Sequence, residues 1–168
     1  MKDISRFKNI KCFIFDVDGV LTDGSLLVTE EGELLRRMNV RDGQAIKYAL
    51  ETGFDVAIIT KGASKGVRKR LEILGITHLY DAVIDKRIAI QDLKNELKVD
   101  KTKCLYMGDD IPDLAVRDEV SIFTCPRDAS PQVVDVADYI AISQGGHGCV
   151  REVIEKTMRA QELWPLIS

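Results

Sequence analysis

Short unbroken apolar runs alternate along this chain with longer stretches in which apolar residues recur every three or four positions. The runs, rich in β-formers, read as strands buried on both faces; the wider spacing reads as amphipathic helix. Cys12 to Phe15 is the first run. Val56 to Ile59, Ala82 to Ile84, Cys104 to Met107 and Val120 to Phe123 follow, with Tyr139 to Ile142 as a final edge strand. Helical faces fall between them. Ala45, Ile46, Ala49 and Leu50 follow an Asp42 cap and end at Gly53; Val67, Leu71 and Leu74 lie between a Ser64 cap and Gly75. Lys86 opens a helix with Ile90, Leu93 and Leu97 inward, and a short helix follows Asp113. Ser130-Pro131 starts one carrying Val133, Val134 and Ala137. Val150, Val153, Ile154 and Met158 mark the last. Strands alternating with helices predict an α/β fold: a Rossmann-like parallel sheet with helices on both faces.

One stretch departs from that rhythm. Ser25 to Val28 and Leu34 to Val40 predict two strands around the turn Glu30-Glu31-Gly32-Glu33, a β-hairpin inserted after the first strand at about 24–40. Leu26 and Leu27 are adjacent, as are Leu34 and Leu35, so both faces of the hairpin are apolar. Burial against another subunit is expected.

The 168 residues suit a single domain, closing with a C-terminal helix and tail at about 148–168. A net charge of -3 without a basic stripe excludes nucleic acid as the main partner. No apolar run approaches the roughly 20 residues that cross a bilayer. Met1 to Arg6 lacks the apolar core of a secretory signal, and Cys12, Cys104, Cys125 and Cys149 form no C-x-x-C pair. The expected compartment is cytoplasmic.

The chemistry begins where the first strand ends. Asp16 and Asp18 stand one residue apart, and in extended chain both point to the same side, with Gly19 free to turn beside a ligand. Two anions so close need a cation or a shared proton between them. Other strand ends carry Thr60, Lys86 and the run Gly108-Asp109-Asp110-Ile111-Pro112-Asp113. Parallel strands gather their C-terminal ends on one edge, so these groups are expected to converge. Several carboxylates with one lysine suit a hard divalent cation, Mg²⁺ above all, working beside phosphate. A calcium loop does not fit: Val20 and Leu27 occupy ligand positions and a strand precedes the acids.

Asp16-Val-Asp18-Gly-Val-Leu-Thr, Thr60, Lys86 and Gly108-Asp109-Asp110-x-x-Asp113 resemble the four motifs of the haloacid dehalogenase superfamily of phosphatases. The opening through Gly24, Val40-Arg41-Asp42-Gly43 and Gly145-Gly146-x-Gly148-x-x-Arg151-Glu152 resemble more narrowly its sugar-acid branch. That branch acts on 3-deoxy-D-manno-octulosonate 8-phosphate, a precursor in lipopolysaccharide synthesis.

The resemblance implies a role for each position. Asp16 is the nucleophile that becomes an aspartyl-phosphate, and Asp18 the general acid and base. Thr60 and Lys86 bind the transferring phosphoryl group. Asp16, Asp109 and the carbonyl of Asp18 hold Mg²⁺, with Asp110 and Asp113 behind them. Lys61, Gly62 and Arg70 are candidate substrate-binding residues, and His147 stands where the family has an arginine. The intervals from Asp16 to Thr60 and from Thr60 to Lys86 have no room for a cap domain. The resemblance implies a capless homotetramer, with the hairpin and the Trp164 tail closing a neighbour's site. Two alternatives stay open: a phosphatase for nine-carbon sialic-type acid 9-phosphates, and a non-catalytic regulatory domain.

Overall fold

The computed structural model describes residues 4–165, so residues 166–168 of the expected tail lie outside the described residues. Six parallel strands form the main sheet: β1 (Cys12–Phe15), β4 (Asp55–Ile59), β5 (His78–Tyr80), β6 (Cys104–Met107), β7 (Ile122–Cys125) and β8 (Tyr139–Ile140). Their order is β5-β4-β1-β6-β7-β8. β2 (Leu27–Val28) and β3 (Leu34–Leu35) make a separate antiparallel hairpin. The helices are α1 (Val40–Glu51), α2 (Lys65–Leu74), α3 (Lys86–Leu97), α4 (Pro131–Val136) and α5 (Cys149–Ala160).

The pleat sends alternate residues of β1 into two cores. Phe13 and Phe15 join α1, α2 and α5 on one face, while Cys12 and Ile14 join α3 and α4 on the other. All four cysteines are buried as small apolar side chains, and none of them forms a disulfide. No helix among the described residues is long and apolar enough to cross a membrane.

Several boundaries differ from the sequence pattern. The strand expected at Ala82 to Ile84 lies earlier, at His78–Tyr80, because Ala82 has φ 52° and Ile84 is 93% exposed. β7 runs to Cys125 because the buried Thr124 hydroxyl donates to the Tyr106 carbonyl and so costs the strand nothing. The hairpin's second strand stops at Leu35 instead of continuing to Val40. Asn39, whose side chain accepts from the Arg41 N–H at 2.8 Å, caps α1 in place of Asp42. Asp42 lies buried in the first turn, and its Oδ1 accepts from the Arg151 N–H at the start of α5.

From β1 the chain crosses to β4 on one side, and later to β6 on the other. A crevice opens at such a reversal, beyond the carboxyl ends of the two central strands. Asp16 and Asp109 follow those two ends.

Candidate active site

The register sets Phe15 beside Ile58 and Met107, so the loops after β1, β4 and β6 leave the sheet at one level. The Asp16 N–H donates to the Met107 carbonyl at 3.1 Å, locking the first loop to the third. One Asp16 oxygen accepts from the Val17 N–H at 2.7 Å and the other from Lys86 Nζ at 2.6 Å. Thr22 is fully buried and ties the loop together, its hydroxyl accepting from the Gly19 and Gly24 N–H groups. Gly19 sits at φ +80°, and a Cβ there would lie 2.0 Å from Asp109 Oδ2. No other residue lets the loop rest against that carboxylate. The Gly145 to Gly148 motif packs under the same loop, with the Gly146 N–H donating to the Val20 carbonyl at 2.9 Å.

Asp113 organises the opposite wall. Its Oδ1 accepts from Lys86 Nζ at 2.7 Å and from the Tyr106 hydroxyl; its Oδ2 accepts from the Asp109 and Asp110 N–H groups. Burial, with repulsion from Asp113, pushes the Asp16 carboxyl up to about 6 although Lys86 opposes it. Burial and then Asp113 and Asp16 push Asp109 to about 7. Burial alone would lower Lys86, but its attraction to Asp16 and Asp113 leaves the ammonium held above its ordinary range.

Asp18 turns to a different partner. Arg36, just past β3, donates to both its oxygens, Nε at 2.6 Å and Nη2 at 3.2 Å. Asp16, Asp18, Thr60, Lys61, Gly62, Lys86, Asp109, Asp110 and Asp113 all line one cleft of about 230 Å³. The Thr60 hydroxyl accepts from the Gly62 N–H at 3.2 Å. Arg70 stands apart, on the wall of a groove of about 730 Å³ between the hairpin and the start of α2. His147 lies at the surface, its Nδ1 2.7 Å from the Gly145 carbonyl, and does not line the cleft.

The donor set suits a hard cation. Oxygens of Asp16, Asp109 and Asp113 lie within 4.8 Å of one another. One ammonium offsets one of the three negative charges and leaves the two that a divalent ion would balance. No hydrogen bond or ion pair occupies the Asp109 side chain among the described residues. A ligand set made only of carboxylate oxygens matches Mg²⁺.

No family model matches the chain. It is 42% identical over 158 residues to the 3-deoxy-D-manno-octulosonate 8-phosphate phosphatase KdsC of Escherichia coli K12, covering 94% of this chain and 84% of that one. The chain belongs to this phosphatase family. The crystal structure of the Yersinia pestis phosphatase superposes on the present phosphatase with a TM-score of 0.93 at 39% identity, covering 95% of this chain and 86% of that one. The Moraxella catarrhalis phosphatase, solved with magnesium, phosphate and KDO, gives 0.91 at 36% identity, covering 95% and 91%. A HAD superfamily hydrolase structure from Legionella pneumophila gives 0.92 at 41% identity, covering 95% and 87%, in agreement with the haloacid dehalogenase fold read from the motifs.

Two residues of the phosphatase site escaped the sequence reading. Arg36 sits beside Arg37 in a hairpin that reads as an apolar subunit contact. Tyr106, inside an apolar run, reads as core, yet its hydroxyl reaches Asp113. An arginine in an otherwise apolar hairpin was the available signal for the first; nothing marked the second.

Proposed function

We propose that this phosphatase hydrolyses 3-deoxy-D-manno-octulosonate 8-phosphate to the free sugar acid and phosphate, through a phosphorylated Asp16. The observation that carries this reading is the meeting of Asp16, Asp109, Asp113 and Lys86 in one cleft, in a chain of this family. Asp16 attacks phosphorus, the bond to the sugar oxygen breaks, and the Asp18 proton passes to that oxygen. Water then attacks phosphorus and returns a proton to Asp18 as the bond to Asp16 breaks. The Thr60 hydroxyl and the Lys86 ammonium hold the phosphoryl oxygens. Asp16, Asp109 and the Asp18 carbonyl would hold Mg²⁺, backed by Asp110 and Asp113, and the ion supplies charge neutralisation between nucleophile and phosphoryl group.

The sugar acid extends past Arg36 into the wider groove, where Arg70 offers a guanidinium fork for its carboxylate. Lys61 and Gly62 line the entrance. The single sheet with its two cores supports one catalytic domain, read as cytoplasmic. The exposed hairpin leucines, 45 to 67% accessible, support a homotetramer in which the hairpin shields a neighbour's cleft. Trp164 packs edge-on against Tyr48 and under Arg151 of its own chain, which leaves the lid role chiefly to the hairpin.

Phosphate release from the eight-carbon ester and from a nine-carbon sialic-type 9-phosphate, with Mg²⁺ and with excess chelator, tests the reading. Metal-dependent release favouring the eight-carbon ester is expected. Preference for the nine-carbon ester would move the substrate assignment, and no release from either would leave the non-catalytic alternative.

A further inference from the structure

The contact between Arg36 and Asp18 is built more firmly than a surface ion pair. The Arg36 side chain is only 8% exposed, whereas Asp18, which lines the cleft, remains 40% exposed. Nη1 donates to the Leu34 carbonyl at 3.2 Å, so the guanidinium is fastened to the hairpin before it reaches the carboxylate. Nε and Nη2 then take one Asp18 oxygen each. A fork of this kind fixes the plane of a carboxylate as well as its position. Gly62 leaves the space beside the pair open: a Cβ there would lie 3.1 Å from Asp18 Oδ2 and 3.6 Å from both Arg36 Nη2 and Thr60 Oγ1. The neighbouring Arg37 pairs with Asp23 at 2.7 Å but is 77% exposed, so only Arg36 is directed into the site.

We propose that Arg36 is a positioning residue for Asp18, orienting its carboxylate toward the leaving oxygen of the phosphate ester. This rests on the reading of Asp18 as proton donor. Proton transfer to a leaving group is worth about 100- to 10,000-fold when the donor is well placed. A displacement of about 1 Å already costs about 100-fold. The need for that proton depends on the leaving group. A 4-nitrophenolate departs as a stable anion, whereas an unsubstituted phenolate gains much more from protonation. The hairpin thereby contributes directly to the chemistry, and its seat on the catalytic loop sets how well the proton is delivered.

The test compares phenyl phosphate with 4-nitrophenyl phosphate, which share the ring and differ in the acidity of the departing phenol, in wild type, Arg36→Ala and Arg36→Lys. With Mg²⁺ and enzyme in excess, single turnovers give kcat/KM, which reports the steps up to departure of the phenol. Arg36→Ala is expected to lose about tenfold more on phenyl phosphate than on the nitrophenyl ester. Arg36→Lys keeps the charge without the fork and shows the same bias. Because each comparison is made within one protein preparation, partial misfolding cancels. A bias below about threefold in Arg36→Ala, or wild-type behaviour in Arg36→Lys, overturns the inference. Wild-type protein inert toward these esters and toward the sugar-acid ester removes the phosphatase reading, and this inference with it.

Discussion

Lys86 holds Asp16 at 2.6 Å from Nζ to Oδ2, and the same ammonium reaches Asp113 at 2.7 Å. All three side chains are nearly or fully buried, so each charge depends on the others for solvation. Removing the ammonium strands two carboxylates. Lys86→Met is expected to lose turnover and to lower stability by about 3 kcal/mol. Urea denaturation followed by circular dichroism measures the second effect, and an unchanged midpoint would show that the cluster is solvated by other means.

Asp16→Asn keeps the shape of the proposed nucleophile while removing its ability to form the phosphorylated intermediate. Turnover is expected to fall by about 1,000-fold or more. The melting temperature should stay close to wild type, because the substitution relieves repulsion with Asp113. Retained turnover would assign the attack to another group.

Metal removal separates the two walls of the cleft. Excess chelator is expected to abolish phosphate release, and added Mg²⁺ to restore it. Binding to the folded state alone also raises stability, by about 2.7 kcal/mol at 100 times the dissociation constant. Scanning calorimetry should therefore show an upward shift in melting temperature with Mg²⁺ in wild type. In Asp109→Asn that shift should be absent.

Asp42 predicts a pH dependence of stability far from the catalytic chemistry. Burial raises its carboxyl from 3.8 to about 6, against the Arg151 and Gly148 N–H groups and the charges of Arg151 and His147. Its Oδ2 has no hydrogen-bond partner among the described residues. A raised pKa means that the folded state binds the proton more tightly than the unfolded chain. The favourable contribution is complete below about pH 4 and is lost as pH rises through about 6. Asp42→Asn should flatten this slope, gaining about 3 kcal/mol on wild type between pH 4 and pH 7. Chemical denaturation across that range measures it. Parallel curves for the two proteins would mean that Asp42 is solvated in the native state.

The parts of this fold that were legible in the sequence are those governed by burial on both faces. Cys12 to Phe15 and Cys104 to Met107 match the observed strands residue for residue. The acids at their ends meet because parallel pairing leaves them no other place. The edge strand was harder. His78-Leu79-Tyr80 is only half-buried and shows no clear pattern, whereas the apolar Ile84 drew attention although solvent surrounds it. Arg36 was illegible for another reason: its partner lies 18 residues away, across a hairpin whose length only the folded structure fixes. An arginine within an apolar hairpin marks the residue, but local pattern does not name its partner.

The seating of Gly145 under the Asp16 loop, where a Cβ would come within 2.0 Å of the Gly19 carbonyl, has a bearing on biosynthesis. A ribosome delivers the Asp16 loop well before the glycine turn that underlies it. Until residues near 145 leave the exit tunnel, the loop lacks the Val20 carbonyl's partner and the support of α5. A nascent chain stalled before that point holds every acid of the cleft and still lacks the floor on which they are arranged, so the cleft is completed only after those residues emerge.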